Sequence, residues 1–345
     1  MPRSQLSLQW QLFPGVEFTQ YRHDWDQLNA RISASALLSS RFIQPCLDHF
    51  SDEQLMLAVA REGERIVAMT LIERVGYARW LTFQPSQAPV GCWLSDLDYD
   101  LDRLLESLAK ALPDPALQIS ITQQDPQIMP RPEQNPRMST LDYITTGRLD
   151  IPDDFEAYWQ NRGKNVRQNT NKAKNRLERE GVDIRLEIAA DEQSVRDYVA
   201  EFGVLESAGW KRETGTAVHI DNQQGRFYTQ LLQSFMPENC QVWRYYFNDQ
   251  LVAIDLCLCV DGVLYILKTT YDEQWKRYSP AFMMHLEGVR ELSQLPVERI
   301  EFYGPAMDWH KKLTQDLRTM YHITWYRSAL LPKLKQLLRR SKGSA

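Results

Sequence analysis

"VLYILKTTYDEQWKRYSPAFMMHLEGV", residues 263–289, changes character halfway along. Up to Thr270 it is a run rich in aliphatic and β-branched residues, of the kind that forms a buried strand. From Ser279 onward the apolar residues Phe282, Met283, Leu286 and Val289 return at helical spacing. Pro280 suits a first helical turn, where its missing N–H costs nothing, and Ser279 before it is a natural cap. A strand that runs through a loop into a helix start leaves free N–H groups pointing outward, in a dipole that favours negative charge. Lys276 and Arg277 add positive charge just ahead of that start. The stretch therefore reads either as an anion receptor or as an ordinary capped helix that binds nothing.

Working backwards, "WRYYFNDQLVAIDLCLCVDG" (243–262) reads as strand, turn at Asn248-Asp249, strand. Far upstream, "LAVAREGERIVAMTLIERVG" (57–76) has the same form, and Ile66-Val67-Ala68 precedes Leu251-Val252-Ala253 by a constant 185 residues. A helix-like stretch rich in acidic and apolar residues comes before each hairpin, and in the second half 191–205 and 225–236 both read as helices. A duplicated α/β unit accounts for this repetition better than two unrelated halves. Further strands are expected at 263–270, "ERIEFYG" and "HITWYRS", with a helix at about 279–293. Eight of the 17 prolines fall between Pro85 and Pro136, four of them within 123–136. Such a stretch sustains neither a helix nor a central strand. We place a boundary at about 140–152, with lobes at 1–145 and 150–345.

The 345 residues are 43% hydrophobic and 25% charged, enough for two cores. A net charge of −5 carries no nucleic-acid signature for the whole molecule, so any basic function is local, and no DNA partner is expected. The five cysteines (Cys46, Cys92, Cys240, Cys257, Cys259) form no C-x-x-C pair, and we expect reduced thiols in a cytoplasmic protein with no metal site. Cys257 and Cys259 fall on one face of a strand. No signal-peptide pattern and no membrane-spanning run is evident.

Three stretches together, "YILKTTYDEQWKRYSPAFMMHLEGVREL", "RIEFYGPAMDWHKKL" and "YWQNRGKNVRQNTNKAKNRLEREG", resemble the GNAT acyltransferase superfamily. Within it they look like the branch of FemAB-type transferases and CelD-like cellulose and exopolysaccharide proteins. That branch carries a polar Arg/Lys-rich helix ending Leu-Glu-x-x-Gly, here Leu177-Glu178-Arg179-Glu180-Gly181. It also carries a strand, a loop and an "SPG" helix start, matched by Ser279-Pro280-Ala281, and a later "YK"-like pair, for which Trp309-His310-Lys311 stands nearest. The resemblance covers 150–330 well and 1–145 in outline. It implies two GNAT-like lobes of mixed sheet flanked by helices, with a cleft between them and the first lobe degenerate. It further implies acyl transfer from acetyl-CoA or a longer acyl-CoA to an amine or hydroxyl, such as an amino sugar or cell-envelope precursor. The usual phosphate loop contains glycine, whereas Gln274–Ala281 has none. That leaves two alternatives, a Fem-like aminoacyl-tRNA-dependent transferase and a non-catalytic assembly factor for polysaccharide production.

On this reading the donor is held by Lys268, Lys276, Arg277, Tyr278, Ser279, Ala281 and Lys311. Backbone N–H groups of the strand at 263–270 would stabilise the oxyanion of acyl transfer. His310 is the leading base, its pKa held down by Lys311 and Lys312, with Glu206 and Asp255 behind it. Asp255 lies in an apolar strand and needs a partner or a cleft. The helix at 162–179 has seven basic residues and one acid, and offers Arg167 and Lys174 to an anionic substrate or tRNA phosphate. Trp210, Lys211 and Tyr303 complete the acceptor side. The tail carries Leu330, Leu331, Leu334, Leu337 and Leu338 at helical spacing, with six basic residues between Arg327 and Lys342. It suits either a docked helix or, through 328–345, contact with an anionic inner-membrane surface.

Overall fold

A computed structural model describes residues 8–208 and 217–332. The chain opens with β1 (Gln9–Pro14), α1 (Phe18–Ile32), α2 (Ser40–Phe50), β2 (Met56–Glu62), β3 (Arg65–Gly76) and β4 (Arg79–Thr82). There follow β5 (Trp93–Ser95), α3 (Leu101–Ala111), β6 (Gln118–Gln124) and β7 (Met138–Asp150). The second half runs α4 (Phe155–Gln160), α5 (Lys164–Arg179), β8 (Ile184–Ala189), α6 (Val195–Ala208) and α7 (Gln223–Phe235). It continues with β9 (Cys240–Phe247), β10 (Gln250–Val260), β11 (Val263–Tyr271), α8 (Pro280–Leu292), β12 (Arg299–Glu301), α9 (Asp308–Leu313) and β13 (Leu317–Tyr326).

Two units emerge, each a mixed sheet flanked by helices, and their element order repeats: strand, two helices, three antiparallel strands, helix, strand. In the first, β4 runs parallel to β6; in the second, β11 runs parallel to β12. The two hairpins with the 185-residue offset are β2–β3 and β9–β10. The β10–β11 turn is Asp261-Gly262, with φ of 48° and 75°. Positive φ at both residues of a two-residue loop is the geometry that Asp-Gly favours, and it matches the strand twist.

The expected division needs one correction. β13 pairs antiparallel with β6 and counts with the first unit, which joins the residues up to Ile144 to those from Thr319. β7, which the sequence left as a boundary region, is a strand whose last residues pair with β12 in the second unit. Each sheet is thus finished by the strand that follows the other unit's last parallel strand. Partners so distant in sequence leave no local signal.

In the second unit, Trp243, Tyr245, Cys257, Leu264 and Ile266 form a buried layer on one face of the sheet. Met283, Met284, Leu286 and Val289 of α8 pack against it. Gly288 lies against the Trp243 ring, so a side chain there has no room. Cys257 and Cys259 do share a face, with Cys257 buried and Cys259 packed against the same core. None of the five cysteines is in a disulfide.

Candidate active site

β11 and β12 pair only from Val263↔Arg299 to Tyr265↔Glu301 and then part. From Ile266 onward β11 keeps its antiparallel partner β10 on one edge, while its other edge faces a pocket of about 510 Å³. Opposite stand Phe302, Gly304, Trp309 and His310 from the β12–α9 segment, and the pocket reaches Ser279, Ala281 and Phe282 at the start of α8. The register of β11 against β10 slips at Leu267, where one extra residue is inserted. Such a bulge re-aims side chains. Leu264 and Ile266 pack with α8, whereas Lys268 swings to the other face, over the rings of Phe202 and Tyr228.

At the α8 start, Ser279 sits in the left-handed region at φ 54° and makes no side-chain cap, contrary to the capping expected of it. Its own N–H donates to Lys276 O at 3.0 Å, and Met283 N–H donates to Ser279 O at 3.0 Å. Pro280 has no N–H. The N–H groups of Ala281 and Phe282, which have no carbonyl a turn earlier in the helix, have no partner among the described residues. Both residues line the pocket, as does Lys276, which has no carboxylate partner among the described residues.

His310 also lines this pocket, 4% exposed, with its ring stacked 3.5 Å from Trp309. Its Nδ1 accepts the Met307 N–H at 2.9 Å. Burial first, then the neighbouring His285, pushes its pKa down from 6.5 to about 3, and Lys311 and Lys312 play no part in this. A neutral imidazole with Nδ1 so engaged carries its proton on Nε2 and donates. The expected role as base is therefore corrected to that of a neutral hydrogen-bond donor. Because the unfolded ring binds a proton that the folded one refuses, stability is full above pH 6.5. It falls, by up to about 1.4 kcal/mol per pH unit, as pH drops towards 3. His310→Gln should reduce this acid-side loss in a series of melting temperatures between pH 7 and 4.

Asp255 has the partner it needs. His285 Nε2–H donates to its Oδ2 at 2.6 Å, with both side chains at most 1% exposed. The His285 ring stacks on Trp309 at 4.6 Å, behind His310. Asp255 does not line the pocket, so its predicted catalytic role gives way to one in the core. Glu206, 4% exposed, takes the Lys268 ammonium at 2.9 Å and the Val218 N–H at 2.7 Å, and it is an ion-pair anchor rather than a free base. Lys268 lines the pocket but through this pair.

The remaining candidates scatter. Arg277 and Tyr278 belong to an adjoining pocket. Lys311 is exposed and 3.8 Å from Asp308. Arg167 bonds Gln160 and the Arg162 carbonyl, and Lys174 pairs with Glu287 beside a separate cavity of about 280 Å³. Tyr303 stacks on Tyr265 and lies outside the pocket lining. Trp210, Lys211 and most of the basic tail lie outside the described residues. Sequence reasoning missed Phe302 and named Trp309 and Lys312 only as neighbours of His310, because a short strand followed by a six-residue helix leaves no periodicity to read. Among the described residues there is no group of His, Cys, Asp and Glu able to hold a metal, and no helix long and apolar enough to cross a membrane.

Both walls of the wedge fall inside one recognisable segment. Residues 164–311 match the acetyltransferase (GNAT) domain family. A search of curated proteins gives no match. Among solved structures the chain is similar to FemX, at 11% identity over 91% of this chain and 98% of that one, with a TM-score of 0.57. It is also similar to the C-terminal domain of a protein assigned as a lysylphosphatidylglycerol synthetase from Agrobacterium fabrum. There the identity is 11%, the coverage 92% and 95%, and the TM-score 0.56. At such identities the likeness is one of fold. The first unit has the same strand pattern, but its β4–β6 wedge is closed. Thr82 Oγ1 accepts the Thr122 N–H at 3.0 Å and meets the Thr122 hydroxyl at 2.9 Å. Gly91 packs against Thr122 in the same place.

Proposed function

We propose that the protein is an acyltransferase that takes an acyl-CoA as donor in the β11–β12 wedge and passes the acyl group to an amine or hydroxyl. The observation that carries this reading is the pair of N–H groups at Ala281 and Phe282, without a partner among the described residues, beside Lys276 at the mouth of an open wedge with apolar walls. Backbone donors at a helix start bind phosphate oxygens, and the wedge beyond them suits an extended arm. The acceptor's lone pair attacks the thioester carbonyl, the carbonyl oxygen gathers negative charge, and the C–S bond breaks, the departing thiolate taking up the proton that the acceptor gives up and leaving as free thiol. The unpaired β11 edge and the Nε2–H of His310 are the groups available to stabilise that charge. With His310 neutral throughout, kcat should show no limb from this residue between pH 5 and 9.

An amino sugar or another envelope precursor is the acceptor class that the sequence resemblance implies. Thermal unfolding with acetyl-CoA and longer acyl-CoAs tests the donor: a ligand at 100 times its Kd should add about 2.7 kcal/mol to stability. No shift with any of them would remove acyl-CoA as donor, and a shift with aminoacyl-tRNA alone would transfer the site to aminoacyl transfer. Release of free CoA thiol against a panel of amines then identifies the acceptor.

A further inference from the structure

Behind the wedge wall that α9 forms stands a buried polar pair. Asp255 of β10 and His285 of α8 meet through one hydrogen bond of 2.6 Å, and neither side chain reaches water. Asp255 Oδ1 and His285 Nδ1 have no hydrogen-bond partner among the described residues, so that single bond sets the rotation of the His285 ring. Packing alone does not call for such a pair, since apolar side chains of similar volume serve a core as well or better. What the hydrogen bond adds is direction.

The ring so aimed begins a column. His285 lies nearly parallel to Trp309, with centroids 4.6 Å and planes 19° apart, and Trp309 lies on His310 at 3.5 Å and 25°. Phe302 stands across all three, its plane turned 77°, 84° and 87° from theirs. Trp309 and His310 belong to α9, which at six residues is too short to hold its shape without tertiary contacts. The inner end of the column is buried at Asp255, and the outer end, His310, lines the wedge. His285 is also the second cause, after burial, of the low His310 pKa, so the same neighbour helps to keep that imidazole neutral.

We infer that Asp255 and His285 are positioning residues for acyl transfer. Their hydrogen bond fixes the His285 ring, and stacking through Trp309 passes that orientation to His310, whose Nε2–H then meets the charge gathering on the carbonyl oxygen. The inference rests on the acyltransferase reading and deepens it by assigning what aims the hydrogen-bond donor. Neither residue touches the substrate. Because the phosphates rest on the Ala281 and Phe282 amides, loss of this alignment should lower kcat and leave KM for acyl-CoA unchanged.

The double variant Asp255→Leu/His285→Phe tests this. It removes both polar partners at once, keeps a ring against Trp309 without the bond that aims it, and should melt close to wild type. With a working acyl-CoA and acceptor its kcat should fall about 10-fold, a fraction of the roughly 10²–10³ lost when an oxyanion donor is removed outright. On a His310→Gln background the same replacement should cost less than about 2-fold, because the pair acts only through His310. Asp255→Asn, which keeps an oxygen for the His285 N–H, should lose about 3-fold, and again almost nothing further beside His310→Gln. A folded double variant with wild-type kcat overturns the inference and leaves the wedge as the donor site. So does an equal loss with and without His310, the result that a merely structural role gives. If the double variant does not fold, the Asp255→Asn comparison decides by the same criterion. Absence of acyl transfer by the wild type sinks the inference and the parent reading together.

Discussion

Asp255→Ala should destabilise the protein by about 3–5 kcal/mol, the combined consequence of orphaning a buried hydrogen-bond partner and leaving a cavity. Asp255 and His285 are essentially inaccessible to water, and the Nε2–H···Oδ2 bond of 2.6 Å is the one hydrogen bond that either side chain makes among the described residues. Without the carboxylate, His285 keeps a buried N–H with nothing to receive it, and a void opens between β10 and α8. Asp255→Asn retains an acceptor oxygen and should lose less than half as much. For a unit of this size the alanine change corresponds to roughly 10 °C in melting temperature. Because the chain has two units, the transition should be followed by calorimetry together with tryptophan fluorescence. A loss below 1 kcal/mol for Asp255→Ala would mean that the pair is not what holds α8 on the sheet.

Ala281→Glu has the second large effect, on binding rather than folding. Ala281 occupies the second position of α8, where a carboxylate is favoured by the helix dipole and stabilises by about 0.3–1 kcal/mol. The same carboxylate would stand beside the Ala281 and Phe282 N–H groups and meet Lys276, both of which the donor phosphates need. Affinity for acyl-CoA should fall at least 100-fold, about 2.7 kcal/mol, while the melting temperature of the free protein stays level or rises. Fold and site thereby separate in one variant. Undiminished acyl-CoA binding by a well-folded Ala281→Glu protein would place the phosphates elsewhere.

What the sequence made legible follows from how local each signal is. The hairpins are encoded by turn residues, Asn248-Asp249 and Asp261-Gly262, between apolar runs. α8 is encoded by Pro280 and the spacing of Phe282, Met283, Leu286 and Val289. The duplication shows because both units use the same hairpin at the same place. The pairing of β7 with β12 and of β13 with β6 stayed hidden, since strand partners chosen from opposite halves of the chain leave no pattern in either strand. Within the site, Ser279, Ala281 and Lys276 were found because they flank a visible helix start. Lys268 does line the pocket, but its pairing with Glu206 follows from the bulge at Leu267, which reverses the face that strict alternation gives it. The role of His310 turned on a single backbone bond, from Met307, that no spacing rule contains.

The central claim is that the Ala281 and Phe282 amides at the α8 start, which have no partner among the described residues, receive the phosphates of a thioester donor. Selective ¹⁵N labelling at alanine and phenylalanine, followed through an acetyl-CoA titration, observes those two groups themselves. The amide resonances of Ala281 and Phe282 should move downfield and saturate together, ahead of any alanine or phenylalanine in the first unit. Saturation of binding with both resonances unmoved would contradict the claim outright.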